Sequence, residues 1–330
     1  MILALHVWLS SALAQQVVVE MDQEKADAAG IDPSAFEAEF SAAVEDELRL
    51  GDQSEYLGQM AQAAVLSSKG MGADYATNPQ RLVIGGGFGS AVSAAGFRFG
   101  RGDGTLPQGG FAFQVSALAG LNLGVLAEDD SPARRFLVYG NGMMLETNNE
   151  PFEGELLNYG GHLQIKLLKK REEGPAEWGG VDFTTGYEYS QYTMRVAQGM
   201  PIGTPDATWD ALGVYSITSA TQSVPLELST NIRIGPLTLF GGGAYDIWQE
   251  GSAASTISLD GDLETKVRGE KIKLGTASVS YGSAATLESF PTPRAFVGLQ
   301  VNVFMVKAYG HLNMQLDEGV GGHAGVRVAL

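Results

Sequence analysis

With 330 residues, 18% of them charged, and a formal net charge of −17, the chain lacks the basic surface that a phosphate backbone requires, which excludes nucleic-acid binding. It has no cysteine, which excludes disulfides, thiolate metal sites and a lipidated N-terminal cysteine. No window holds the ~18 consecutive apolar residues of a transmembrane helix.

The first element, MILALHVWLSSALAQ, has an apolar run from Ile2 to Leu9 followed by Ala12-Leu13-Ala14, a small-residue cleavage pattern. Residues 1–14 therefore read as a signal peptide, although no Lys or Arg precedes the run; the competing reading is a buried N-terminal strand. Residues 15–78 read as an acidic helical segment. Asp32 caps, Pro33 suits a first turn, and Phe36, Phe40, Val44 and Leu48 recur every fourth residue up to Gly51. Asp52 with Glu55 resembles a capping box, and Tyr56, Leu57, Met60, Ala64 and Val65 form a second apolar stripe before Gly70. The expectation is a helical hairpin, either periplasmic or plugging a barrel. Between Glu20 and Glu55, twelve acidic residues stand against Lys25 and Arg49, so −10 of the charge lies here. A solvated acidic face is the default meaning; docking on basic groups such as Lys166, Arg195, Arg233 and Arg327 is the sharper one.

From residue 79 to the C-terminus the pattern alternates with period two. In GFAFQVSALAGLNLGVLA every odd position from Phe111 to Val125 is apolar, and the even ones are mostly small or polar. Strands are expected at 81–94, 110–126, 136–145, 157–168, 180–194, 224–234, 237–248, 295–303, 307–316 and 323–330. The clearest, VPLELSTNIRI, sets Val224, Leu226, Leu228, Thr230, Ile232 and Ile234 on one face and Glu227, Ser229, Asn231 and Arg233 on the other. Tight turns at Gly235-Pro236 and 304–306 contrast with long connections at 195–222 and 249–292, the pattern of short periplasmic turns and long outer loops. Aromatics such as Phe111, Tyr159, Tyr187 and Tyr245 on the apolar face suit interfacial girdles.

The candidate lumen-lining residues are Lys166, Glu227, Asn231, Arg233, Phe240, Phe296, Gln300, Asn302, Phe304, His311 and Arg327. No catalytic residue, cofactor or metal site is assigned. If His323 pairs across a turn at Gly319, it faces about Gln315, while His311 faces about Arg327, which keeps the two histidines apart. Asp260, Asp262 and Glu264 supply oxygens of the kind calcium takes, without the spacing of a full calcium loop.

The segments YATNPQRLVIGGGFG, SVPLELSTNIRIGPLTLFGGGAYD and PRAFVGLQVNVFMVKAYGHLNMQ resemble a family of uncharacterised Gram-negative outer-membrane barrels with an N-terminal helical segment. Asn78-Pro79, shortly before the first strand and after a helical segment, is similar to the long-chain fatty-acid transporters of the outer membrane, which carry an N-terminal helical plug; Gln80 stands where that family has Ala.

The reading is an all-β membrane barrel of about ten antiparallel strands, with twelve as the alternative count, preceded by a helical hairpin. It would sit in a Gram-negative outer membrane and pass small or hydrophobic molecules without catalysis. The alternative is a closed structural or surface-interaction barrel working through its outer loops. The partners implied are the lipid bilayer with its lipopolysaccharide, the barrel-assembly machinery, and a small hydrophobic ligand or a periplasmic protein; no nucleic acid is expected.

Overall fold

The computed structural model describes residues 13–48, 53–76, 81–94, 96, 109–127, 131–173, 175–204, 206–267, 270–287, 292–316 and 318–330. All of the expected signal peptide but Leu13 and Ala14, and the Asn78-Pro79 pair, lie outside these residues. In chain order the elements are β1 (Leu13–Met21), α1 (Gln23–Ala29), α2 (Pro33–Leu48), α3 (Ser54–Ser68), β2 (Leu82–Ser93), β3 (Gly110–Asn122), β4 (Phe136–Asn149) and β5 (Phe152–Leu168). They continue with β6 (Arg171–Glu173), β7 (Ala176–Gly203), β8 (Thr208–Ile234), β9 (Leu237–Val267), β10 (Glu270–Leu287), β11 (Thr292–Val303), β12 (Val306–Gln315) and β13 (Gly319–Ala329).

Ten of the strands close into an antiparallel ring. β2 pairs with β3, and the chain of pairing runs through β4, β5, β7, β8, β9, β11, β12 and β13 back to β2. Closure gives each of the ten a partner on both sides, over all or part of its length. Alternation then decides what each face meets. Glu227 and Asn231 are 3% and 4% exposed, whereas Leu228 and Ile232 on the same strand are 52% and 45% exposed. Ile84, Phe88, Phe113, Leu239, Val297 and Leu312 continue this exposed apolar belt around the ring. A water-soluble protein arranges its faces the other way; greasy outside and polar inside is the membrane-barrel arrangement. Leu228→Arg is accordingly expected to cost ~2–4 kcal/mol near mid-strand. Leu228→Met, nearly volume-conserving, is expected to stay below ~1.5 kcal/mol. Urea unfolding in detergent micelles measures the difference, and equal losses would place Leu228 off the lipid face.

The two expected long loops are corrected. Residues 195–222 and 249–292 are mostly strand: β7, β8 and β9 run on past the ring, and β10 pairs with the upper part of β9, from Gly251 to Val267. Their Ser-, Thr- and Gly-rich composition hides a period-two pattern in which Trp209, Ala211, Leu259 and Leu263 are buried while Asp210, Leu212, Asp260 and Asp262 between them are not. β1 completes this flared sheet by pairing with β10. Asp260 and Asp262 belong to its exposed face. Lys273 Nζ lies 2.7 Å from Asp262 Oδ1 and Lys271 Nζ 2.7 Å from Glu264 Oε2, so two of the three carboxylates pair with exposed lysines.

β3 is also shorter than its apolar run. It stops at Asn122, whose side chain accepts a hydrogen bond from Gly124 N at 2.8 Å and turns Leu123–Leu126 into a 3-10 segment. β3 and β4 are paired only from Ala117 to Asn122 against Leu137 to Gly142; above that register no pairing joins them among the described residues.

The N-terminal helices do not pack on each other as a hairpin. α2 lays Phe36, Phe40 and Val44 on the flared sheet, in a core with Ile202, Trp209, Leu259, Leu263 and Leu274. Phe40 meets Trp209 edge-on at 5.0 Å. The acidic residues Glu37, Glu39, Glu45 and Asp46 face solvent. α3 instead runs inside the ring, with Leu57 and every residue from Met60 to Ser67 buried.

Candidate functional site

A ring of ten strands leaves room for about one helix, whose diameter with side chains is ~10–12 Å. The α3 sequence SEYLGQMAQAAVLSS is narrow enough because seven of its fifteen residues are Ala, Ser or Gly. Where the helix comes closest to the wall, the wall gives way: at Gly110 a Cβ would land on the backbone of Gln59 and Met60. Polar side chains tie the helix along its length. Ser255 Oγ donates to Gln53 Oε1 at 2.5 Å, Ser93 Oγ to Gln59 Oε1 at 2.7 Å, and Gln62 Nε2 to Glu318 Oε2 at 2.8 Å.

Below α3 the chain continues through the lumen as Lys69–Ala76, and here the contacts become ionic. Lys69 is fully buried; its Nζ lies 2.9 Å from Glu188 Oε2 and 3.4 Å from Asp246 Oδ1, and donates to Ser223 Oγ at 2.6 Å. Arg294 bridges the wall carboxylates, reaching Glu227 and, through Nε, Asp246 Oδ2 at 3.4 Å, while Nη1 donates to Asn313 Oδ1 at 2.5 Å. Asp74 receives Arg327 Nη1 at 2.8 Å, and the Arg327 guanidinium stacks 3.7 Å over the Tyr309 ring. Such a desolvated cation over an aromatic face is attractive beyond the ion pair itself. Tyr75 donates its hydroxyl to Glu227 Oε2 at 2.6 Å and packs its ring against Phe296 at 4.8 Å and Phe240 at 6.0 Å.

The histidines of the wall converge on the same stretch. His323 lies opposite His311 in register, not opposite Gln315, and their rings are 4.6 Å apart. The β12–β13 turn is centred two residues earlier than Gly319, and that offset moves every pair by four in register sum. His323 Nε2 meets Ser67 O at 2.7 Å and its Nδ1 meets Asn313 Nδ2 at 3.2 Å, while Asn313 Nδ2 also donates to Lys69 O at 3.0 Å. Gly70, with φ of 83°, adopts a left-handed turn directly against the His311 imidazole, where a Cβ would collide with the ring. His162 Nε2 lies 3.9 Å from Glu188 Oε1. Among the described residues no group of three or more His, Cys, Asp or Glu is placed to hold a metal ion.

Six of the eleven candidate lining residues touch this inner segment: Glu227, Phe240, Phe296 and Asn231 around Tyr75, His311 beside Gly70, and Arg327 on Asp74. Lys166 pairs with Asp182 at 3.1 Å, and Gln300 donates to Asn302 at 2.8 Å, nearer the short-turn end. Arg233 is exposed and donates to Gly235 O at 3.2 Å. Phe304 is a correction: it sits in the two-residue turn between Val303 and Val306 with φ of 53° and is 95% exposed, because the turn takes it out of the strand's alternation. The sign of the docking also differs from the expectation. The acidic residues of α2 stay outside, and the inner segment offers a cation, Lys69, to wall carboxylates as well as an anion, Asp74, to Arg327. Arg195 takes no part; it pairs with Glu153 at the surface.

A family model described as Lsa36-like matches residues 12–330. No curated protein matches the chain. Among solved structures the chain is similar to the CymD monoaromatic hydrocarbon channel, at 8% identity over 85% of this chain and 99% of that one, with a TM-score of 0.26. It is similar to the translocator domain of the autotransporter NalP from Neisseria meningitidis, at 13% identity over 88% of this chain and 97% of that one, with a TM-score of 0.32. It is similar to the toluene transporter TbuX of Ralstonia pickettii, at 8% identity over 85% of this chain and 94% of that one, with a TM-score of 0.26.

Proposed function

The chain belongs to the Lsa36-like family, and for this member we propose a gated outer-membrane channel for small or hydrophobic molecules, closed at rest by α3 and Lys69–Ala76. The observation that carries the reading is the chemistry of the closure: the inner segment is held by buried ion pairs and hydrogen bonds at Lys69, Asp74 and Tyr75. An ion-paired interior costs desolvation that a purely structural filling of apolar side chains avoids, and polar walls are what a water-filled passage needs when the segment moves. The parted upper halves of β3 and β4, with Met143, Met144 and Leu145 only partly buried or exposed there, favour a hydrophobic solute over a strictly hydrophilic one. The lipid bilayer with its lipopolysaccharide and the barrel-assembly machinery are the partners this reading requires. A closed surface-interaction barrel is the second reading, favoured by the size of the flared sheet and its docked helix α2.

A locked segment separates the two. A Cβ at Gly321 would lie 3.2 Å from Leu66 Cγ, so Leu66→Cys with Gly321→Cys brings two thiols together in a chain that has no other cysteine. Solute flux into proteoliposomes is expected to be abolished on oxidation and restored on reduction. Equal flux in both states would show that the segment does not gate.

A further inference from the structure

The inner segment also fixes where the N-terminal residues lie. The C-terminus, the turn at Gly235-Pro236 and the turn at Phe304-Met305 share one end of the ring, and β2 starts there, with Leu82 N donating to Leu330 O. The flared sheet rises from the opposite end. α3 begins at that opposite end, where Gln53 meets Ser255, and the chain descends to Tyr75 beside Glu227 and Phe240 before β2 begins. The chain is therefore threaded through its own barrel from the flared end to the short-turn end.

We propose that the barrel carries its own N-terminal module, residues 13–48, across the membrane and displays it on the outer face, anchored to the flared sheet. The proposal rests on the membrane reading above and on the rule that outer-membrane barrels keep their short turns in the periplasm. For residues 13–48 it replaces both placements expected of the acidic segment, periplasmic or plugging the barrel. Three features fit an exported and then docked module. Its ten acidic residues against one lysine make it strongly charged and soluble while unfolded. The ring admits about one helix, so β1, α1 and α2 have to pass, or be enclosed, before they fold together. The apolar residues Phe36, Phe40 and Val44 then find their partners only on the far side, on Trp209, Leu259 and Leu263. Docking there holds the module against return.

The absence of native cysteines makes the test clean. Ala38→Cys places a thiol on the exposed side of α2, and Phe304→Cys places one in the exposed short turn. Full-length variants that show the heat-dependent gel shift of an assembled barrel are treated with a membrane-impermeant maleimide, on intact cells and after permeabilisation of the outer membrane. The expected result is labelling of Ala38→Cys in intact cells and of Phe304→Cys only after permeabilisation. Protection of Ala38→Cys in intact cells, whatever Phe304→Cys does, overturns the proposal while leaving the barrel reading standing. Labelling of both in intact cells shows that no membrane separates the two ends, which overturns the barrel reading and the proposal with it.

Discussion

Lys69→Met is expected to release the inner segment: it raises the open probability in planar-bilayer recordings and exposes residues 54–76 to protease, while the barrel itself still shows its gel shift. Lys69 is the positive centre between Glu188 and Asp246, and none of the three is solvated. Removing one partner from such a group leaves buried charge uncompensated, which costs about 3–5 kcal/mol, whereas replacing both by neutral groups costs much less. Asp246 keeps Arg294, so the exposed liability is chiefly Glu188. Lys69→Met with Glu188→Gln is therefore expected to recover a large part of the loss, a non-additivity that reports direct contact. Recovery absent from the double variant would mean that Lys69 matters for shape and not for charge.

The ring was legible because alternation is a local signal. All ten of its strands correspond to stretches where apolar and polar residues trade places, and the 52% exposure of Leu228 against 3% for Ser229 follows from nothing more than phase. Strand ends were less legible. β7, β8 and β9 continue through Ser-, Thr- and Gly-rich stretches whose pattern is weak because several buried positions, such as Ala211, Ser219, Ala253 and Ser255, are small or polar, under α2 and the first turns of α3. β10 and β1 share that cause.

Strand phase alone points Glu227, Phe240, His311 and Arg327 inward, and all four are buried. Glu188 and Asp246 were readable on the same logic, lying between or beside outward tyrosines in GYEYS and AYDIW. Arg294 was missed by one residue at a strand start. Lys69, Asp74 and Tyr75 were not readable at all, because they lie in an irregular stretch whose meaning comes only from the walls around it. The histidine pair shows how sharply register matters: moving the β12–β13 turn by two residues separates His311 from His323, and the native register stacks them.

The central claim is that the lumen is a passage filled by its own chain, and the largest effect should come from emptying it. Replacing residues 54–76 with a glycine–serine stretch of equal length keeps the N-terminal module tethered, since an extended residue spans ~3.3 Å and a stretch of that length crosses a bilayer with slack. It removes α3, Lys69, Asp74 and Tyr75, and with them the contacts that fill the lumen between α3 and Tyr75, while leaving the wall residues Glu188, Glu227, Asp246, Arg294 and Arg327 to pair with one another and with water. Single-channel recording of the replaced protein, checked for its heat-dependent gel shift, should show a steady open current where the native protein is mostly silent. An assembled barrel that stays as silent as the native one would contradict the account.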